Sequence, residues 1–186
     1  MTGRIERLQE EYEIAIRWRP FPLHPNTPKE GLLLEQLFAN YPVDIEEMMC
    51  HLRKTAADLG LPFGEREKTY NSRLAQELGL WAESKNKGDV FHTAAFKAYF
   101  VDGKNIARIP VLVDLAASVE LPGEEATAVL ATRAFKTAVD ADWNLSREKA
   151  ITAVPTFVMN QDKLVGAQPY EMLVKLMEAN GVKNRN

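Results

Sequence analysis

Cysteine occurs once in 186 residues, at Cys50. A lone cysteine excludes an intramolecular disulfide and a Cys-x-x-Cys pair, and it cannot supply a zinc site by itself. The three histidines, His24, His51 and His92, are scattered, so no metal site follows from them. No apolar run approaches the roughly 18–20 residues that cross a bilayer, because charges such as Glu35, Asp114 and Glu120 interrupt every candidate. No membrane partner is expected. The first residues, Met1 to Arg7, contain neither an apolar core nor a small-residue cleavage site, so a cytoplasmic location is expected. Twenty-three Lys and Arg against 26 Asp and Glu give a net charge of −3. With no basic run beyond Lys183 and Arg185, a nucleic-acid footprint is absent.

What the chain does have is apolar substance. Hydrophobic residues make up 46% of it, enough for a sizeable core, and the length suits one domain with room for an insertion.

Ile5, Leu8 and Tyr12 recur at helical spacing and predict a short amphipathic helix. Ile14 to Phe21 alternates apolar and polar residues, rich in β-branched and aromatic types, which predicts a strand stopped by Pro20 and Pro22. Three prolines between Pro22 and Pro28 make a connector. From Lys29 to Lys149 the periodicity is helical, with no convincing strand. Breaks fall at Asn40–Pro42, Gly60–Gly64, Asn86–Gly88, Asp102–Pro110 and Leu121–Gly123. Asp44 is placed to cap a helix over Ile45–Leu59 and Asn71 one running through Trp81. Pro110 suits a first helical turn, and Glu124 and Glu125 suit a helix start. The tail reads as a hairpin, Thr156–Met159 and Lys163–Val165 around Asn160–Asp162, and then a closing helix. Its stripe is Met172, Leu173, Leu176 and Met177, with Gly181 at its end.

The run Ala153-Val154-Pro155-Thr156-Phe157-Val158 ahead of a hairpin and closing helix resembles the second half of a thioredoxin fold. Trp18-Arg19-Pro20-Phe21-Pro22-Leu23-His24-Pro25, Tyr70-Asn71-Ser72-Arg73-Leu74-Ala75, Phe96-Lys97-Ala98-Tyr99-Phe100 and Gly166-Ala167-Gln168-Pro169 resemble blocks of the FrnE-type branch of the DsbA family. The resemblance implies an α/β thioredoxin-like fold with a long all-helical insertion, here lacking the first central strand. Its parts would be residues 1–28, a helix and a strand; 29–149, the helical insertion; and 150–186, a hairpin and helix. It also implies thiol–disulfide oxidoreductase activity through a Cys-Pro-x-Cys motif, with a cis proline facing that motif. By resemblance the motif and its strand would lie upstream of Met1. Exchange needs an activated thiolate and a second, resolving thiol, so this chain is expected to be redox-inactive and no catalytic residue is assigned.

By the same resemblance, Val154 and Pro155 would offer backbone groups to a protein thiol or disulfide substrate, or to glutathione; the plainer reading is that the proline only shapes the fold. Gly166, Ala167 and Gln168 are expected to begin the last helix. Their N–H groups would either receive a carboxylate of glutathione or serve as an ordinary cap. No cofactor other than glutathione is implied. Cys50 is expected to be a small, half-buried residue, Trp18 a core residue, and His24 and His92 structural. Two alternatives remain. One is a redox-dead binding or assembly module whose open sheet edge a partner fills, or a homodimer swaps. The other is a glutathione-binding relative of the 2-hydroxychromene-2-carboxylate isomerases and kappa-class transferases, although Gly166-Ala167-Gln168 lacks the Ser-Asp expected there.

Overall fold

The computed structural model describes residues 2–58 and 60–185. Met1, Leu59 and Asn186 lie outside the described residues, so the last residue of the helix expected over Ile45–Leu59 is among them. The chain divides into two compact units, Met1–Leu23 with Ala141–Asn186, and His24–Asp140.

The first unit is built on α1 (Thr2–Glu11), the hairpin β3 (Thr156–Met159) and β4 (Asp162–Val165), and α9 (Tyr170–Ala179). The stripe Ile5, Leu8 and Tyr12 is buried as its spacing requires. Leu8 and Tyr12 pack with Leu173, Leu176 and Met177 of α9, and half-buried Phe157, Met159 and Leu164 of the hairpin close over them. Met172 departs from the expected stripe, being 37% exposed where Leu173 is fully covered. It stands about 100° around the helix from Leu173, at the margin of the apolar face.

The hairpin pairs Thr156 with Val165 through Met159 with Asp162. Only Asn160 and Gln161 remain as the turn, so Asp162 belongs to the return strand and not to the loop. Asn160 has φ 51°, the positive φ that two-residue hairpins require and Asn tolerates. Asn180 ties the hairpin tip to the end of α9: its Nδ2 donates to Asp162 Oδ2 at 2.9 Å, and its Oδ1 accepts from Asn160 Nδ2 at 2.8 Å.

The strand expected over Ile14–Phe21 does not form. Its alternation is present, since residues 14, 16, 18 and 20 are half-buried and residues 13, 15, 17 and 19 exposed. A strand, however, is defined by its ladder, and among the described residues the only pairing nearby is an antiparallel bridge of Tyr12 with Asn184. Glu13 N–H donates to Lys183 O and Arg185 N–H to Glu11 O beside it. Trp18 is half-buried, not a core residue, while Arg19 bonds the buried carboxylate of Asp142.

The second unit is mainly helical: α2 (Leu34–Leu37), α3 (Ile45–Asp58), α4 (Arg73–Ser84), α5 (Gly88–Phe100), α6 (Ile109–Ser118), α7 (Gly123–Thr132) and the first residues of α8 (Lys136–Glu148). Its core gathers Leu78 and Trp81 of α4, Phe91 of α5, Leu112 of α6 and Leu130 of α7. Helix α3 starts where Asp44 predicts, whereas α4 starts one residue later than Asn71 predicts, with Ser72 in the N-cap position. Asp44 Oδ1 accepts from Glu47 N–H at 3.0 Å, and Asn71 Oδ1 accepts from Arg73 N–H at 2.9 Å. Asn71 also pins the proline-rich connector, donating from Nδ2 to Pro25 O at 3.1 Å and Thr27 O at 2.8 Å.

Two features correct the all-helical reading. Leu32–Leu33 (β1) pairs antiparallel with Lys68–Thr69 (β2), a ladder too short for alternation to reveal. Gly31 enters it at φ 86°, where a Cβ would meet the Tyr70 ring at 2.6 Å. The second is a break between α7 and α8: Arg133 adopts φ 56°, a left-handed stop that a non-glycine residue does not advertise. Cys50 is also exposed, not half-buried. The inward face of α3 is Met49 and Ala56, seven residues apart, and Cys50 turns about 100° away from Met49.

Arg133 stops α7 where its side chain is used. Glu77 is 1% exposed; its carboxylate accepts from Arg133 Nε and Nη2 at 2.7 and 2.6 Å and from Arg73 Nε at 2.7 Å. Arg73 continues to Asp140 Oδ1 at 2.7 Å and Lys136 O at 2.9 Å. Burial opposes the charge on Glu77, but the hydrogen bonds of Arg133 and Arg73 outweigh it and hold the carboxyl below its ordinary value of 4.5.

Glu77→Ala is expected to cost about 3 kcal/mol, the usual penalty for breaking a buried pair, read from the urea midpoint. Because the folded-state value is depressed, the Glu77 contribution is complete above pH 4.5 and is lost as pH falls through the lower, folded value. Glu77→Gln should therefore flatten the acid limb of the stability profile. In the first unit, Leu173→Ala is expected to cost about 3 kcal/mol and Met172→Ala under about 1 kcal/mol; equal losses would put Met172 in the core.

Candidate functional site

The residues singled out from the sequence meet at the open end of the hairpin. The Val154–Pro155 bond is cis. Val154 is 44% exposed and Pro155 half-buried. Thr156 Oγ1 donates to Ala153 O at 2.7 Å, closing the loop ahead of β3. Across the hairpin, Gly166 N–H donates to Pro155 O at 2.7 Å, which joins Val154–Pro155 to Gly166–Gln168. Gly166 has φ 89°, a conformation glycine reaches at no steric cost.

Gly166, Ala167 and Gln168 do not begin the last helix. It starts at Tyr170, with Pro169 in the capping position. A residue before proline is pushed out of the helical region, so Gln168 cannot be helical, and the left-handed Gly166 sets the turn instead. The N–H groups of Gly166 and Gln168 are not open to a carboxylate either: the first bonds Pro155 O, and the second bonds Gly166 O at 2.9 Å. The Gln168 side chain folds back, its Nε2 donating to Val165 O at 2.7 Å. Exposed Ala167 and Val154 face outward from this frame.

Sequence reasoning missed the residues that hold the turn from α1. Arg4 Nη1 donates to Gln168 O at 2.8 Å. One turn on, the Arg7 guanidinium lies 4.1 Å from the centre of the Tyr170 ring. Glu11 accepts from Arg7 Nε at 2.7 Å and from Tyr170 Oη at 2.7 Å. Both hydrogen bonds hold the Glu11 carboxyl below its ordinary value. Tyr170 is pushed up to about 12, first by burial and then by its bond to the Glu11 carboxylate. Positions 4, 7 and 11 share one helix face. That spacing was legible; where the face would land was not.

The chemistry available here is backbone recognition. Cys50 lies in the other compact unit. His24 and His51 are exposed, so His24 is not a structural histidine of a core; His92 is half-buried, and burial lowers its pKa. Among the described residues no group of three His, Cys, Asp or Glu side chains could hold a metal ion, and no helix is long and apolar enough to cross a membrane.

Comparison with known proteins identifies the fold and the family. The chain is 28% identical over 166 residues to the uncharacterized protein YwbO of Bacillus subtilis (strain 168), covering 88% of this chain and 80% of that one. Among solved structures, a probable DsbA oxidoreductase from Streptomyces coelicolor superposes with a TM-score of 0.87 at 26% identity, over 97% of this chain and 83% of the other. The cytosolic disulfide reductase DsbM from Pseudomonas aeruginosa, solved with GSH, shares the fold at a TM-score of 0.54 and 20% identity, over 80% and 81% of the two chains. The architecture is a DsbA-like thioredoxin fold, rich in helix, with few and short strands. The model of the DSBA-like thioredoxin domain matches residues 1–178, and the chain belongs to that family.

Proposed function

We propose that this chain supplies the docking half of DsbA-type thiol–disulfide chemistry and does not itself turn over disulfides. The observation that carries the reading is exposed Val154, set by the cis bond to Pro155 and held beside Gly166–Gln168 through the Pro155 carbonyl, in a unit that contains no thiol. An extended peptide bearing a thiol or disulfide, or glutathione, would pair with the backbone of Val154 as a short added strand. Ala167, exposed on the same turn, would border it.

Turnover requires a thiolate to attack a disulfide sulfur, expel one thiolate and form a mixed disulfide, which a second thiol then resolves. Cys50 is the one thiol in the sequence. It can enter such a mixed disulfide but has no partner to release it. The location that fits is the cytoplasm, where an exposed lone thiol stays reduced.

A second reading, an assembly module that forms a homodimer, is favoured by one observation. Among the described residues, β3 is paired only to β4 and Ile14–Phe21 has no ladder. The edge of β3 away from β4 is of the kind that accepts a strand from another chain.

The 186-residue chain is expected to leave the rate of insulin reduction by dithiothreitol at its uncatalysed value, with Cys50→Ala indistinguishable from it. Catalysis that survives Cys50→Ala would overturn the docking reading. For the second reading, light scattering at micromolar concentration should return twice the chain mass, and a clean monomer would remove it.

A further inference from the structure

Arg4 stands at one end of a hydrogen-bond relay that finishes on the carbonyl of Pro155, the residue that follows the cis Val154–Pro155 bond. Its Nη1 donates to Gln168 O at 2.8 Å, Gln168 N–H donates to Gly166 O at 2.9 Å, and Gly166 N–H donates to Pro155 O at 2.7 Å. The first bond is charge-assisted, the stronger class of hydrogen bond. Arg4 lies in the first turn of α1, whose neighbouring Ile5 and Leu8 are buried at 5% and 3% exposure. The side chains of the turn itself reach no other element. Gly166 is left-handed and without a side chain, Ala167 is exposed, and the Gln168 side chain bonds only within the turn, to Val165 O. Arg7 and Glu11 fasten Tyr170, two residues beyond Gln168, to the same face of α1. The turn is thus gripped at Pro155 O on one side and by α1 on the other.

We infer that Arg4 is a positioning residue for ligand docking: through Gln168 O it fixes the Gly166–Gln168 turn, and so the Val154 backbone that a thiol peptide would pair with. The inference rests on the docking role proposed above and adds a residue from α1 that touches no ligand. A ligand pays less on binding when the receiving backbone is already ordered, so releasing the latch reads out as affinity.

The test is amide hydrogen exchange and a titration with reduced glutathione on the ¹⁵N-labelled chain, compared across wild type, Arg4→Ala and Arg4→Lys. Glutathione is expected to shift the amides of Val154, Gly166 and Ala167 in the wild type. Arg4→Ala should speed exchange at Gly166 and Gln168 about tenfold and weaken glutathione about five- to tenfold, leaving Leu173 and Leu176 protected. Arg4→Lys, which restores a charged donor, should recover most of both. If wild type and Arg4→Ala bind glutathione equally, Arg4 does not position the site and the docking role stands alone. If the wild type shows no shifts at these amides, the docking role fails and takes the inference with it. Should Arg4→Ala also deprotect Leu173 and Leu176, Arg4→Gln is read instead, since it keeps the stem and a neutral donor. Deprotection of α9 in both would make Arg4 a fold residue and overturn the inference.

Discussion

The bond from Gly166 N–H to the Pro155 carbonyl, 2.7 Å long, is the constraint on which the first unit is organised. It closes the open end of a hairpin whose other end is fixed by a two-residue turn and by Asn180. With both ends set, the register of β3 against β4 follows. That register turns Phe157, Met159 and Leu164 toward Leu8, Leu173 and Met177. The same bond consumes the Pro155 carbonyl, so the backbone left to outside partners is that of Val154 and of the exposed turn. Packing and recognition are two consequences of one closure.

The second unit is organised differently. Its apolar core is continuous through four helices, yet it tolerates one buried carboxylate, Glu77, because two guanidinium groups arrive with directed hydrogen bonds. One of them belongs to Arg133, which also ends α7 in a left-handed conformation. A single non-glycine residue takes on backbone strain of order 1 kcal/mol, and its side chain neutralises a charge whose burial would cost more. The strain and the ion cluster explain each other.

Much of this was legible from residue types alone. Asp44 and Asn71 announced helix starts, Ile5, Leu8 and Tyr12 an inward face, and Val154-Pro155-Thr156 the entry to the hairpin, because each signal is local: a cap, a period or a proline acts within a few residues. The misreadings share a cause as well. Ile14–Phe21 has the alternation of a strand but no ladder, Leu32–Leu33 has a ladder too short to alternate, and Gly166–Gln168 looks like a helix start until Pro169 excludes it. Cys50 and Met172 were misjudged by one helical step, which separates an exposed residue from a buried one.

The sequence by itself determined that the chain is rich in amphipathic helix, that one thiol is available, and that a proline-bounded hairpin precedes the last helix, since composition and short-range sterics suffice for those. Only the tertiary structure decided that Arg4, Arg7 and Glu11 reach Gln168 and Tyr170, more than 150 positions away. The same holds for the Arg73 and Arg133 bonds that converge on Glu77. Partnership over such distances depends on how helices pack, and packing is fixed by the whole buried surface rather than by any local pattern.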